Sequence, residues 1–270
     1  MALMRLDKYL ADMGIASRKD LKQIIKSGRV SVDGKAVRIP ESKLDPETSS
    51  VELDGESLNY KKYHYYIIDK PCGIVTATED NKQKTVLDLV SPEMKRMGLF
   101  PVGRLDKDTS GLIIAAKNDK AHLALSAQLA DRSLSRTYDA VVYGKILEPG
   151  TVNAPIGRSS KDRKKMAVTA DGRNAVTHYE PISYVNGFSH IRCKLETGRT
   201  HQIRVHMASI GHAVAGDPLY GPKNDKTKLD GQCLHASRLR FVHPVTNEHV
   251  EVECELPDYF ADFMKRIGLE

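Results

Sequence analysis

Two polar stretches of this 270-residue chain contain the residue types of a reaction centre. Residues 103–111 (GRLDKDTSG) combine two carboxylates, Asp106 and Asp108, with two cations and two glycines immediately before an apolar run. Residues 196–206 (ETGRTHQIRVH) place Arg199 where a strand pattern changes to a helix pattern, and a guanidinium there can reach a carboxylate on a neighbouring loop. A plain polar turn and an exposed arginine at a helix start are the alternative interpretations.

The histidines and cysteines do not form a metal-ligand pattern. His201 and His206 are five residues apart, about 140° around a helix, so their side chains do not share one face. The four cysteines are Cys72, Cys193, Cys233 and Cys254. Because they are far apart and include no CxxC pair, we expect reduced thiols in a cytoplasmic protein, with neither zinc nor disulfides.

The composition is that of an ordinary globular protein with a basic surplus. Hydrophobic residues make up 40% and charged residues 28% of the chain, which excludes collagen-like, mostly disordered and polytopic membrane classes. No apolar run approaches the ~20 residues of a membrane span, and the N-terminus lacks the apolar core of a signal peptide. The net charge of +6 permits a polyanionic partner.

The positive charge is concentrated in two separate segments. Residues 5–38 contain nine Lys or Arg and four Asp or Glu. The second segment, which is too polar for a core, contains Arg158, Lys161, Arg163, Lys164 and Lys165. A solvated basic surface explains either segment alone, whereas two such segments in one basic chain favour a nucleic acid as partner.

The N-terminal part of the chain has the patterns of short helices and hairpins. An apolar stripe over residues 6–13 predicts one helix, and Ser17 is a suitable N-cap for a second. The Asp33-Gly34 pair predicts a hairpin turn, and residues 51–55 repeat the strand alternation. Residues 60–63 are then the expected linker, so the chain divides near residue 60.

This segment resembles the S4 RNA-binding domain. The resemblance rests on residues 4–10 (MRLDKYL), 16–18 (ASR) and 25–34 (IKSGRVSVDG). It implies that cations of the second helix and its exit contact RNA phosphates. These cations are Arg18, Lys19, Lys22 and Arg29. An amphipathic two-helix cap on the larger domain is the alternative interpretation.

The rest of the chain is rich in strand signals. Apolar or alternating patterns predict strands at residues 65–68, 112–116, 138–143 and 191–195, and a helix that begins at Thr200. Strands outnumber helices and do not alternate regularly with them. We therefore predict an α+β fold, in which a small S4-like α/β domain precedes a domain built on a largely antiparallel mixed sheet.

The two polar stretches carry a second resemblance. Together with residues 216–221 (GDPLYG), they are similar to the signatures of RNA pseudouridine synthases of the RluA/RluD type. Residues 69–71 (DKP), 141–144 (VVYG, preceded by Tyr138) and 234–236 (LHA) extend the similarity over nearly the whole second part. One position departs from the pattern, because Gly103 stands where this branch usually has histidine and the RsuA-type branch has glycine.

The resemblance implies an isomerase that exchanges the glycosidic C–N bond of a uridine for a C–C bond. It makes Asp106 the catalytic aspartate, which either attacks the sugar C1′ or removes a sugar proton. It makes Arg199 the arginine that pairs with this carboxylate, and Tyr138 the residue that packs on the flipped base and is a candidate to accept the C5 proton. By the same resemblance, Arg104 fills the gap left by the flipped nucleotide and Leu195 forms an apolar wall. It implies no metal and no cofactor.

Flipping a uridine out of stacked RNA requires compensating contacts with the RNA backbone. We expect these from the S4-like domain, residues 1–60, and from Arg163 and Lys164 in the catalytic domain, residues 61–270. Family members with an S4 domain generally act on ribosomal RNA, so the expected partner is large-subunit ribosomal RNA, with transfer RNA as the alternative. The expected protein is a cytoplasmic monomer without a membrane partner. A non-catalytic RNA-binding or ribosome-assembly protein is one competing interpretation of the sequence, and a hydrolase is another.

Overall fold

Two compact units make up the chain. The computed structural model describes residues 3–60, 64–96, 98–244 and 246–269. The first unit comprises Met1–Tyr66, Ala77–Val102 and Ala115–Ala124, and the second comprises Ile67–Thr76, Gly103–Ile114 and Leu125–Glu270. Of the expected linker, residues 61–63 lie outside the described residues.

The N-terminal part of the first unit consists of two short helices and six short strands. Its elements are β1 (Met4–Arg5), α1 (Leu6–Asp12), α2 (Arg18–Lys26), β2 (Val30–Val32), β3 (Lys35–Val37), β4 (Lys43–Leu44), β5 (Val51–Leu53) and β6 (Glu56–Leu58). Ser17 caps α2, because its hydroxyl oxygen accepts the backbone N–H of Asp20 at 3.3 Å. Asp33 and Gly34 have φ values of 50° and 75°, as a two-residue hairpin turn between β2 and β3 requires.

The core of this segment lies between its helices and its sheet. The four strands follow the order β3–β2–β5–β6, and all three pairings are antiparallel. Leu10 of α1, Leu21 and Ile25 of α2, and Val30 of β2 are all fully buried in one cluster. Because α2 packs this apolar face inward, its cations are left on the exposed face. The predicted helices and hairpin are confirmed.

The remaining elements alternate between long strands and a few helices. They are β7 (His64–Lys70), a 3-10 turn (Val86–Leu89), α3 (Pro92–Arg96), β8 (Leu99–Val102), β9 (Ser110–Lys117), α4 (Asn118–Asp131), β10 (Ser135–Tyr143), β11 (Gly150–Asn153), β12 (Ile156–Arg158), β13 (Met166–Val168), β14 (Val176–Val185), β15 (Phe188–Leu195), α5 (Gln202–Ser209), β16 (Leu234–Val242), β17 (His249–Glu253) and α6 (Asp258–Ile267). Among the described residues, no helix has the length and apolar character to cross a membrane.

The second unit is organised by one mixed sheet. Its strands follow the order β11–β14–β15–β10–β16–β9–β7, and β17 also pairs with β16. The pairings among β10, β11, β14, β15, β16 and β17 are antiparallel, whereas β9 runs parallel to β16. A mostly antiparallel sheet with few helices confirms the predicted α+β class.

Helix α5 differs from the prediction at its start. It begins at Gln202 and not at Thr200, because His201 adopts the left-handed conformation with φ 57° and interrupts the helical backbone. Residues 202–207 are all buried. A charged side chain in this stretch must therefore find a partner of opposite charge inside the protein.

Candidate active site

The loop that carries Asp106 is held on both sides of this residue. The Thr76 hydroxyl donates to the Leu105 carbonyl at 2.9 Å and accepts the Leu105 backbone N–H at 3.2 Å. On the other side, the Lys70 ammonium donates to the Lys107 carbonyl at 2.9 Å. Because both neighbouring peptide groups are held, the backbone presents the carboxylate of Asp106 in one position.

Lys70 is a fully buried cation that serves the backbone of this site. Its ammonium also donates to the carbonyls of Pro71 and Ile74, at 3.0 and 2.9 Å. Burial lowers the pKa of Lys70 to about 8, although nearby acidic groups, including Asp106, favour the charged form. Three carbonyl acceptors match the three N–H bonds of the ammonium, so this lysine ties the turn at residues 71–74 to the loop that carries Asp106.

Arg204 of α5 is the partner of Asp106. Its Nη1 donates to Asp106 Oδ2 at 2.9 Å, while Nε and Nη2 donate to the two carboxylate oxygens of Asp217 at 2.7 and 2.9 Å. Burial opposes the charge of Arg204, but the hydrogen bonds and charges of the two aspartates outweigh it and raise its pKa. The guanidinium is therefore permanently charged and shared between two carboxylates.

The predicted ion pair between Arg199 and Asp106 was wrong. The guanidinium Nε of Arg199 donates instead to the carbonyl of Asn174 at 2.9 Å. The apolar neighbours Ile203 and Val205 indicate a buried stretch of helix, but the sequence does not show which of the two arginines reaches Asp106. Asp217, in the GDPLYG motif, was not predicted as a site residue, because its pairing with Arg204 also depends on how the chain folds.

His201 and Tyr220 complete the surroundings of the carboxylate and were also missed as site residues. His201 Nε2 lies 4.0 Å from Asp106 Oδ2, and His201 Nδ1 lies 2.8 Å from the Tyr220 hydroxyl. Burial lowers the pKa of His201, against the opposing influence of Asp106. The left-handed backbone of His201 was the feature that could not be foreseen, because only a folded chain shows such a conformation.

A cavity of about 470 Å³ opens beside Asp106. Arg104, Tyr138, Leu195 and Arg199 line it together with Asp106. The structure thus brings together the five residues of the second unit that the sequence assigned to the reacting nucleotide. Among the described residues, no group of three or more His, Cys, Asp or Glu side chains is arranged to hold a metal ion.

Tyr138 lies on β10 at the wall of this cavity. The residue is 7% exposed, and burial raises the pKa of its hydroxyl. The charge and hydrogen bonding of Arg136 act in the opposite direction and favour the phenolate. Arg136 itself lines the cavity, two residues before Tyr138 on the same strand.

Gly103, the departure from the RluA/RluD pattern, makes room for Arg136. It has φ +74°, and a Cβ atom there would lie 3.0 Å from Leu129 Cδ2 and 3.2 Å from Arg136 Nη1. A histidine at this position would therefore compete with the guanidinium for the same space. In this protein, Arg136 of β10 therefore lies beside Gly103, the position at which the RluA/RluD pattern has histidine.

The basic hairpin, β12–β13 with the connecting residues 159–165, carries the second cationic segment. Arg163 and Lys164 are exposed at its tip. The Arg158 guanidinium donates to the Arg163 carbonyl at 2.9 Å, and the Lys165 backbone N–H donates to the Asp162 carbonyl at 3.0 Å. The hairpin thus has a defined tip, and its cations do not line the Asp106 cavity.

In the first unit, the predicted phosphate-binding cations lie on one side of α2. Arg18, Lys19 and Lys22 are exposed, and their spacing along the helix places them on neighbouring positions of its surface. Arg29 follows the helix and forms an ion pair with Asp54. The guanidinium of Arg29 is therefore paired with the carboxylate of Asp54, whereas the sequence predicted a cation that binds phosphate.

Comparison with known proteins agrees with these observations. The RNA pseudouridylate synthase family matches residues 64–209, and the S4 domain family matches residues 4–49. An uncharacterized RNA pseudouridine synthase, YlyB of Bacillus subtilis (strain 168), is 41% identical over 97% of this chain and 94% of its own length. The ribosomal large subunit pseudouridine synthase D of Zymomonas mobilis is 40% identical over 94% of this chain and 90% of its own.

The fold agrees as well. The structure of human RNA pseudouridylate synthase domain containing 1 covers 73% of this chain and 81% of its own, with a TM-score of 0.60 and 25% identity. The catalytic segment, the N-terminal S4 domain and the α+β fold lead to one conclusion. The chain belongs to the RNA pseudouridylate synthase family and is an isomerase.

Proposed function

We propose that this protein isomerises uridine in large-subunit ribosomal RNA, with Asp106 as the reacting carboxylate. The observation that carries the proposal is the ion pair of Asp106 with the buried Arg204 at the edge of the 470 Å³ cavity. Relatives from Zymomonas mobilis and Pseudomonas aeruginosa, 40% and 38% identical to this chain, are named ribosomal large subunit pseudouridine synthase D. Their names support ribosomal RNA over transfer RNA as the substrate.

The geometry supports Asp106, and not Asp217, as the reacting group. The side chain of Asp217 is fully buried, whereas that of Asp106 is 21% exposed. Arg204 donates only to Oδ2 of Asp106, and no hydrogen bond to its Oδ1 is found in the part of the chain that the structure describes. A charged, oriented carboxylate with one oxygen directed away from its partner can act at the sugar as a nucleophile or as a base.

The cavity walls support the roles proposed for its other residues. Tyr138 supplies an aromatic surface and Leu195 an apolar surface for a flipped base. We assign the Tyr138 hydroxyl as the group that accepts the C5 proton. Arg104 and Arg199 line the same cavity. Their guanidinium groups can bind the flanking phosphates or fill the gap that the flipped nucleotide leaves in the RNA stack. We retain Arg199 as a substrate-binding residue and assign the pairing role to Arg204.

We further propose that residues 1–60 and residues 61–270 have different roles. The first segment would bind RNA through Arg18, Lys19, Lys22 and Arg29, and the second would carry the reaction, aided by the basic hairpin. The family matches at residues 4–49 and 64–209 support this boundary. We propose a monomer that acts in the cytoplasm, where ribosomal RNA is available.

The proposal is tested with large-subunit ribosomal RNA transcribed in vitro, which contains no pseudouridine. The protein should convert uridine in this RNA, and Asp106→Asn should reduce conversion to background while leaving the RNA dissociation constant nearly unchanged, since the substitution keeps the shape and removes only the charge. A pseudouridine map of total RNA from cells with and without the gene identifies the site. Conversion confined to transfer RNA would overturn the proposed substrate, and substantial turnover by Asp106→Asn would overturn the role of Asp106.

A further inference from the structure

Tyr220 contacts both the basic hairpin and the ion pairs of the active site. Its hydroxyl oxygen accepts the backbone N–H of Met166, in β13, at 2.8 Å. The same oxygen lies 2.8 Å from Nδ1 of His201. The ring of Tyr220 lies beneath the guanidinium of Arg204, with Cζ 5.2 Å from the ring centroid. One side chain therefore touches the basic hairpin and two neighbours of Asp106.

The hydrogen bonds of Tyr220 determine which nitrogen of His201 carries the proton. The hydroxyl oxygen already accepts from Met166, and its own proton can be donated to His201 Nδ1, the acceptor that lies within reach. A neutral imidazole that accepts at Nδ1 carries its proton on Nε2. The N–H of His201 is therefore directed toward Asp106.

His201 is held short of a hydrogen bond with this carboxylate. Its Nε2 lies 4.0 Å from Asp106 Oδ2, whereas a hydrogen bond requires about 3 Å. The left-handed backbone of His201, with φ 57°, is unusual for a residue with a side chain and is retained by the surrounding contacts. Contacts in a resting active site often shorten only when substrate is bound, and a movement of about 1 Å closes this one.

The base of the hairpin packs against the same group of residues. Met166 and Tyr220 lie against a small buried cluster that contains Ile156 of the hairpin and Val205 of α5. Val205 is the residue after Arg204. Displacement of the hairpin therefore acts on Tyr220 and on the helix that holds Asp106, because packed side chains move together.

We propose that Tyr220 and His201 are positioning residues that couple RNA binding at the basic hairpin to the orientation of Asp106. Phosphate contacts at the hairpin tip hold β13, and the Met166 N–H holds the Tyr220 hydroxyl. The hydroxyl in turn directs the N–H of His201 at the carboxylate. This inference rests on the proposed function, both for the role of Asp106 and for RNA binding by the hairpin.

The first test is Tyr220→Phe, which keeps the ring on Arg204 and removes only the hydroxyl. The substrate is large-subunit ribosomal RNA transcribed with tritium at uridine C5, and tritium release is followed in single turnover at saturating protein. We expect the rate constant to fall about tenfold, as for the loss of one oriented hydrogen bond, with a nearly unchanged dissociation constant for RNA. Tyr184→Phe, an exposed tyrosine on β14, is the matched control and should change neither quantity. A wild-type rate for Tyr220→Phe, or a change in affinity alone, would overturn the proposal.

A double-mutant cycle separates positioning from general structural damage. If Tyr220 acts through His201, adding Tyr220→Phe to His201→Gln should change the rate constant by less than about twofold. Independent, multiplying losses would show that Tyr220 does not act through His201. The double hairpin variant Arg163→Gln, Lys164→Gln should lower the rate constant at saturating protein when residue 220 is the native tyrosine. It should not lower the rate constant further in Tyr220→Phe. An equal decrease in both backgrounds would refute the coupling.

An error in the proposed function would appear in the wild-type protein, whereas an error in the coupling would appear only in the variants. If the wild-type protein releases no tritium from this RNA, the proposed substrate is wrong, and the same variants are compared on transfer RNA transcribed with the same label. The coupling is then judged on the RNA that the wild-type protein converts.

Discussion

Arg204 donates two hydrogen bonds to Asp217 and one to Asp106. The fully buried Asp217 cannot be solvated, so it requires the guanidinium more than the partly exposed Asp106 does. Asp217 therefore anchors Arg204, and Arg204 orients Asp106. These two roles explain how Asp106 can be held firmly while its side chain stays partly exposed.

Arg204→Ala should destabilise the protein by roughly 3–5 kcal/mol, because the buried carboxylate of Asp217 keeps its backbone hydrogen bonds from Leu219 and Tyr220 but loses its compensating positive charge. Turnover should also fall to near background, since Asp106 loses its orientation. Arg199→Ala is the matched control and should cost about 1 kcal/mol, because its Nε donates to one backbone carbonyl. The measurements are the free energy of unfolding in urea and the initial rate of pseudouridine formation.

The Arg204 prediction has a further check in a double variant. Asp217→Asn in the Arg204→Ala background removes the unpaired charge and should recover part of the lost stability. Equal stability of the Arg204→Ala and Arg199→Ala proteins would contradict the ion-pair assignment.

Lys70 predicts a specific dependence of stability on pH. Its pKa is about 8 in the folded protein against 10.5 for an ordinary lysine, so between these values the unfolded chain binds a proton that the native protein has lost. The unfolding free energy contributed by this residue should therefore rise as the pH increases from about 8 to 10.5, by roughly 3 kcal/mol in total. The difference in unfolding free energy between wild type and Lys70→Met, measured across this range, isolates the contribution. A constant difference would refute it.

At the scale of elements, the turn before Asp106 and strand β10 are fitted to each other. Gly103 approaches Leu129 of α4 and Arg136 of β10 so closely that no Cβ is accommodated without movement. The strand then presents Arg136 and Tyr138 to the cavity together. The absence of a side chain at Gly103 thus determines that Arg136 of β10 borders the cavity.

Gly103→Ala tests whether the space at Gly103 is required, and Gly187→Ala is its control. Both glycines have positive φ, +74° and +82°, but a Cβ at Gly187 meets nothing within 4 Å. Each substitution should cost about 1 kcal/mol from backbone strain, and Gly103→Ala should cost more because Leu129 and Arg136 must move. Only Gly103→Ala should lower turnover. Similar losses of stability and equal turnover for both variants would argue against a role for the space at Gly103.

At the scale of the whole molecule, basic surfaces are present in both units, on α2 and at the hairpin tip. Extraction of a uridine from stacked RNA consumes free energy, and phosphate contacts away from the reacting base can supply it. We therefore expect the cations of α2 to contribute affinity and not rate.

Lys19→Gln combined with Lys22→Gln should weaken RNA binding and reduce the slope of log K against log salt by about 0.7–0.9 for each lost phosphate contact. Turnover at saturating RNA should stay near that of the wild type. Lys265→Gln, on the exposed side of α6, is the control for a general loss of positive charge. An unchanged salt dependence in the α2 variant would remove α2 from the RNA-binding surface.

Much of the fold and the location of the site followed from local sequence. The Ser17 cap, the Asp33-Gly34 turn and the fully buried strand β9 each depend on residues that are neighbours in the chain. The family signatures likewise placed Asp106, Tyr138 and Arg104 in one cavity, because the motif residues act where their strands and loops meet. These features are set by residue type and spacing.

The partner of Asp106 depended on folding. Arg199 and Arg204 lie in the same motif, and nothing in their spacing distinguishes which one reaches a carboxylate 98 positions earlier in the chain than Arg204. The left-handed residue at His201 delays the start of α5, and the buried helix directs Arg204 toward Asp106 while Arg199 bonds to a backbone carbonyl. A long-range ion pair is selected by distance and burial, and both quantities exist only once the sheet and the helix have packed.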